Sequence, residues 1–289
     1  MPHVVTRATA PFLSATGALM VHQIPSITDN LIWLAVCTQT GAAAAVDGPE
    51  ASSVLEYCQR NNIRLSAIFN THTHPDHIGI NRDLAKQHKL RNLRVVGSES
   101  RAADIPGITE RVREGARVQL GDAAGEVWLT EGHLDGHISF IIDGVLFCGD
   151  TLFAGGCGRI FDGPPEKMHK SLARMATLPP ATRVCCAHEY TQDNLRFAWM
   201  IDRDNEDLKR RIRGVWAIRR MGGSTVPSTI GEERATNPFV RVTEPSIQWA
   251  VGDAFPEIDV RDPVQVLAAL REWKNRGDHR AMPDDVLPV

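Results

Sequence analysis

Three histidines and an aspartate stand within six residues, in His72-Thr73-His74-Pro75-Asp76-His77, directly after the strand-like run Leu65–Phe69 and the pair Asn70-Thr71. His72 and His74 are two apart, so an extended backbone points both rings the same way. Asp76 and His77 come round a turn and can face a second position. Imidazole and carboxylate donors suit Zn, Fe or Mn. Further donors recur by one device, an apolar strand, a small residue, then a metal-binding side chain. They are Gly132-His133, Gly149-Asp150 and Ala187-His188. A chain that must bring these together needs a layered αβ fold whose strand ends converge on one edge. A chance polar loop is the bland alternative. It is disfavoured because five of the eleven histidines fit one donor set.

The seven donors His72, His74, Asp76, His77, His133, Asp150 and His188 suffice for two divalent metals. Three histidines make one site. Asp76, His77 and His188 make the other, with Asp150 as the bridge because a carboxylate has two oxygens. Metals about 3.5–4 Å apart hold a shared hydroxide, so no serine or cysteine nucleophile is required. Cys148 lies two residues before Asp150 and is a weaker competitor as a soft ligand. His137 reads as a supporting group, not a ligand.

Apolar residues make up 43% of the 289 and charged residues 23%, enough for a real core. The net charge of −3 shows no global basic field for nucleic acid or anionic membrane. No apolar run approaches the roughly 20 residues that span a bilayer. Strands are expected at 31–37, 42–46, Leu65–Phe69, 93–96, 125–130, Ile138–Ile142, 145–148 and Arg183–Cys186. Helices are expected at 50–61, 80–89, 164–178, 192–201, Glu206–Arg220 and Pro263–Arg276. The chain thus reads as a disordered leader at 1–19, an αβ domain at 20–190 and a mostly helical domain at 191–289. The basic residues of Glu206–Arg220 read as the solvated face of a helix whose apolar stripe is Leu208, Ile212, Val215 and Trp216. Six cysteines without a CxxC pair read as reduced thiols.

These residues resemble the metallo-β-lactamase superfamily and, within it, the glyoxalase II (hydroxyacylglutathione hydrolase) family. The resemblance runs from about Val21 to Pro283. Beyond the metal motif it rests on Thr28-Asp29-Asn30, Gly149-Asp150-Thr151-Leu152-Phe153, Gly156-Cys157-Gly158-Arg159, His188-Glu189-Tyr190, Val226-Pro227-Ser228-Thr229 and Asn237-Pro238-Phe239. It implies an αββα sandwich with a C-terminal helical domain. The implied reaction is hydrolysis of S-D-lactoylglutathione to D-lactate and glutathione, the second step of methylglyoxal detoxification. A metal-bridging hydroxide attacks the thioester, with Asp76 and Asp150 as catalytic carboxylates. The resemblance also implies glutathione contacts from Arg159, Tyr190, Arg271 and Lys274, the last two on one helix face.

Three departures stand out. Phe161 occupies a position usually tyrosine, which removes a hydroxyl contact worth about 1 kcal/mol. Gly79-Ile80 replaces a Gly-Gly pair. Asn275-Arg276-Gly277 replaces an acidic-then-aromatic ending. The rival readings are an iron-dependent glutathione persulfide dioxygenase and an inactive metal-binding protein. The expected cofactor is two divalent ions, Zn ahead of Fe or Mn. The expected protein is a cytoplasmic monomer, or a mitochondrial one if 1–19 is a transit peptide.

Overall fold

The computed structural model describes residues 3–289. Two sheets face each other. The first contains β1 (Phe12–Leu13), β2 (Leu19–Ser26), β3 (Asn30–Cys37), β4 (Ala43–Val46), β5 (Leu65–Phe69), β6 (Arg94–Ser98) and β7 (Glu110–Val112), in that spatial order. It is antiparallel to β4 and parallel beyond it, with α1 (Ala51–Arg60) and α2 (Gly79–Lys86) making the crossovers. The second contains β8 (Arg117–Leu120), β9 (Ala123–Leu129), β10 (Ile138–Ile142) and β11 (Val145–Gly149). After the small hairpin β12 (Leu152–Phe153) and β13 (Gly156–Cys157), β14 (Arg183–Cys186) and β15 (Ser228–Thr229) complete it.

Strand alternation explains the layering. In β3, Leu31, Trp33, Ala35 and Cys37 enter the core between the sheets, while Ile32 and Leu34 enter the core under α1 and α2. Apolar side chains on both faces produce the unbroken run 31–37, as a doubly covered strand requires. In β5, Ala67 and Phe69 point into one core and Ile68 into the other. The outer layer over the second sheet comes from α3 (Pro165–Met175) and later helices. These are α4 (Thr191–Ile201), with α5 (Glu206–Arg220) packed on it in a separate apolar cluster, and α6 (Ile230–Thr236), α7 (Pro245–Ala254) and α8 (Pro263–Arg276). The αββα arrangement with a helical C-terminal part is therefore present.

Two expectations are corrected. Residues 3–19 are not a disordered leader. Phe12–Leu13 pairs with β2, and Asp143 accepts hydrogen bonds from Ser14 Oγ at 2.6 Å and Thr16 Oγ1 at 2.9 Å. A polar, alanine-rich segment is held by hydrogen bonds to the sandwich, a source of order that composition does not display. Met1 and Pro2 lie outside the described residues. The second correction concerns α5. Arg211 is no solvated residue: its side chain is buried and donates to Glu233 Oε1 at 2.6 Å. Glu233 also accepts from the Gly155 amide and from Asn237 Nδ2, so Arg211 neutralises a buried polar node behind the β12–β13 hairpin.

Candidate active site

The strand ends deliver the side chains. β5 stops at Phe69, and Asn70 and Thr71 lead into the histidine loop. β11 ends at Gly149, whose φ of +48° belongs to the left-handed region. A Cβ there would lie 2.2 Å from Thr71 Oγ1, so the backbone turns Asp150 inward only with glycine. β3 and β14 meet across the sandwich at the same edge: the Leu31 amide donates to Ala187 O and the Glu189 amide to Asp29 O. That junction carries His188.

Two clusters result. His72 Nε2 lies 3.1 Å and His133 Nε2 3.0 Å from His74 Nδ1. His77 Nε2 and His188 Nε2 lie 3.7 and 3.5 Å from Asp76 Oδ2. Asp150 stands between them. Its Oδ1 is 3.4 Å from His77 Nε2 and 3.5 Å from His188 Nε2, and its Oδ2 is 3.5 Å from His133 Nε2. One carboxylate thus turns an oxygen to each cluster.

The donor atoms fit metal ions. Zn–N bonds of about 2.0–2.1 Å in a tetrahedron put neighbouring nitrogens about 3.3 Å apart, close to the spacing around His74. His77 Nε2 and Asp150 Oδ1 are buried with no hydrogen-bond partner among the described residues. Such atoms are costly unless a ligand satisfies them. The far sides of four of the five rings are tethered, while His74 faces the cluster through Nδ1. His77 Nδ1 donates to Asp47 Oδ2 at 2.9 Å, His188 Nδ1 to Asp29 Oδ1 at 2.7 Å, and His133 Nδ1 to Arg159 O at 2.8 Å. His72 Nδ1 lies 3.1 Å from Thr71 Oγ1, which itself donates to Asp47 Oδ2. These bonds place the proton on Nδ1 and leave the Nε2 lone pair toward the centre.

Electrostatics follow the same geometry. Burial pushes His72, His74 and His133 down, keeping them neutral as ligands must be. Burial also opposes the charged form of His188, but Asp150 and Asp29 outweigh it and raise the ring to about 9. His77 rises for the same reason, against burial, beside Asp150 and Asp47. Both are rings next to carboxylates whose charge a cation would otherwise balance.

His137 is fully buried and accepts from the Asp150 amide through Nε2 at 3.3 Å, so it supports the carboxylate's backbone. Cys148 is turned to Leu152 O at 3.2 Å. The residues missed in the sequence are Asp47, which ties two rings, and Asp193. Asp47 follows strand β4 as Val46-Asp47-Gly48, the same strand-then-acid device seen at Asp150. Asp193 carries no such signal.

A cleft of about 490 Å³ opens over the clusters, lined by His74, Asp76, His133, Asp150 and His188 and by Arg159, Phe161, Tyr190, Arg271 and Lys274. Phe161 is exposed and edge-on to His74 and His133, with ring centroids 5.4 and 5.2 Å away. Tyr190 stacks on His188 at 4.9 Å. Arg271 is buried, donating from Nη1 to Cys157 O and from Nη2 to Asn275 Oδ1, with Nε unpartnered among the described residues. Lys274 is also buried and already paired with Asp193 Oδ2 at 3.1 Å. Burial pushes its ammonium down to about 8, with Asp193 pulling the other way.

Family models match nearly the whole molecule. The metallo-beta-lactamase superfamily covers residues 40–188 and the hydroxyacylglutathione hydrolase C-terminus covers 189–277. A hydroxyacylglutathione hydrolase from Synechococcus sp. (strain JA-2-3B'a(2-13)) is 47% identical over 89% of this chain and 100% of its own. The chain belongs to the hydroxyacylglutathione hydrolase family. Another member, from Photobacterium profundum, is 42% identical over 89% of this chain and 99% of its own. The fold also matches solved structures. ETHE1 from Myxococcus xanthus has a TM-score of 0.57 at 23% identity, covering 89% of this chain and 99% of that one. The BLEG-1 B3 metallo-beta-lactamase has a TM-score of 0.57 at 20% identity, covering 77% and 100%. These two likenesses concern the fold. Hydroxyacylglutathione hydrolases are thioester hydrolases, and the donor set here is one that holds divalent metal ions.

Proposed function

We propose that the chain hydrolyses S-D-lactoylglutathione to D-lactate and glutathione at a two-metal centre held by His72, His74 and His133 on one side and Asp76, His77 and His188 on the other. The observation that carries this reading is Asp150, with one oxygen facing each cluster. When bound, two divalent ions supply hydroxide at neutral pH and Lewis acidity at the carbonyl. The chain's own residues do the positioning. Asp150 holds the two clusters in register, and His137 fixes its backbone. Phe161 stands edge-on to the rings of His74 and His133 and forms an apolar wall of the cleft beside them. Arg159, Tyr190, Arg271 and Lys274 line the path for the peptide part of glutathione, which carries two carboxylates. Holding that part keeps the thioester carbonyl near its attacker. The leaving thiolate is weakly basic, so a dedicated general acid is less necessary.

Zinc is the preferred occupant, with iron and manganese open to the same donors. One solved relative, at 24% identity and a TM-score of 0.51 over 75% of this chain and 98% of its own, is described in a di-iron-bound form. The six cysteines are unpaired and buried, in keeping with a protein working in the reducing cytoplasm. Among the described residues no helix is long and apolar enough to cross a membrane. The dioxygenase and inactive-protein readings are not favoured, because the similar relatives are hydroxyacylglutathione hydrolases and all seven donors are present.

The test is the initial rate of S-D-lactoylglutathione hydrolysis by metal-replete protein beside Asp150→Ala. Rapid thioester loss, nearly abolished in the variant, is expected. A metal-loaded wild type without thioesterase activity would overturn the reading.

A further inference from the structure

A second cavity of about 620 Å³ adjoins the cleft. The two share His3, Asp193 and Arg280, which therefore form the sill between them. His3 is brought there by an anchored segment. The amides of Thr6 and Arg7 donate to Gly222 O, and the Ser224 amide returns a bond to Arg7 O, all at 3.0 Å. The Thr9 amide donates to Gln23 Oε1 at 3.0 Å and its hydroxyl to Val226 O at 2.7 Å. Val5 is buried. Residues 3–9 lie outside both stretches matched by the family models.

The ring of His3 stands edge-on to Tyr190 at 5.2 Å, and Tyr190 stacks on His188 at 4.9 Å. A wall of three rings thus runs from the metal-facing cluster to the sill. An extended tripeptide reaches at most about 10 Å, and two ring-to-ring steps of this size span a comparable path. Asp193 faces Lys274 at 3.1 Å and Arg280 Nε at 2.8 Å, with His279 Nε2 at 3.2 Å. Asp29 also lines the cleft with His3. Arg271, Lys274 and Arg280 together place three cations against these two carboxylates where the peptide part of the substrate would end.

We propose that His3 is a substrate-binding residue, receiving, together with Arg280, a carboxylate of the glutathione moiety at the sill between the two cavities. This rests on the glutathione-thioester reading above. The imidazole contributes a hydrogen bond and Arg280 the charge. The N-terminal segment is then a wall of the active site.

The test is a charge series at one position, His3→Ala, His3→Asp and His3→Lys. Steady-state rates are measured on S-D-lactoylglutathione and on the lactoyl thioester of N-acetylcysteamine, which carries no carboxylate. Binding of S-methylglutathione is measured by calorimetry on the same metal-loaded proteins. Loss of one hydrogen bond is expected to raise KM for the glutathione thioester about 3- to 10-fold in His3→Ala. The rise should be larger in His3→Asp and reversed in His3→Lys, with kcat little changed. The N-acetylcysteamine thioester should not distinguish the variants, and the calorimetric Kd should follow KM. Unchanged KM and Kd through the series, or equal losses on both thioesters, would overturn the proposal. Wild type that cleaves neither thioester would instead sink the parent reading, and the calorimetric series would still decide this one.

Discussion

Lys274 shows how one side chain sets a pH limit. Its ammonium is buried against Asp193 and titrates at about 8, so the charge is present below that pH and lost above it. A cation that holds a substrate carboxylate should therefore fail on the alkaline side. KM for the glutathione thioester should rise as pH passes 8, after subtraction of uncatalysed hydrolysis. In Lys274→Arg, whose guanidinium stays charged, the KM profile should be flat to about pH 9.5 from a higher baseline. A parallel rise in both proteins would exclude Lys274 as the titrating group. Asp29 acts at one remove, by orienting His188 through a 2.7 Å hydrogen bond. Asp29→Asn should weaken metal affinity by roughly 10- to 100-fold. Competition with a chromophoric chelator measures this directly, and an unchanged affinity would remove Asp29 from the site's support.

At the scale of elements, the strand-end device has a steric cause. The turn out of β11 has room for no side chain at Gly149, where a Cβ would lie 2.2 Å from Thr71 Oγ1 and 2.8 Å from His137 Nε2. Gly132 precedes His133 under the same restriction, with φ of +131° and a Cβ that would lie 2.5 Å from Met168 Cα. Gly149→Ala should cost about 2 kcal/mol or more, through positive φ and overlap together. Urea denaturation would read it as a lower midpoint at unchanged slope. A midpoint equal to wild type would show that the turn can relax. The terminal helices contribute differently. α8 starts at the Asp262 cap, which accepts from the Val264 amide at 2.9 Å, and its buried face carries Leu267, Leu270, Arg271 and Lys274. Apolar packing therefore places the two cations that face the cleft.

For the whole molecule, the centre lies where two sheets meet, and its donors come from both. His72, His74, Asp76 and His77 follow β5 of one sheet, whereas His133, Asp150 and His188 come from the other. Bound metal ions would therefore link the layers and relieve buried donors with no other partner among the described residues. Removing them with a chelator should abolish turnover and lower the thermal midpoint, since a ligand that binds only the folded state stabilises it. Returning zinc should restore both. A midpoint insensitive to chelation, in protein shown to have lost its metal, would contradict this coupling.

Much of this was legible in the chain itself. The pattern His72-x-His74-x-Asp76-His77 announced a metal site because donor chemistry and strand alternation are local properties. β5, β10, β14, α5 and α8 were readable for the same reason, since burial on one or both faces imposes a period on the sequence. Tertiary structure alone decided the rest. Asp47 and Asp29 orient histidines 30 and 159 positions away. Arg211 looked like one more surface cation until Glu233 was placed beside it. Lys274 came already paired with Asp193, and an alanine-rich N-terminal stretch carried His3 to the rim of the cleft. No period or motif encodes such partnerships, because hydrogen bonds and ion pairs depend on distance in space and not on separation along the chain.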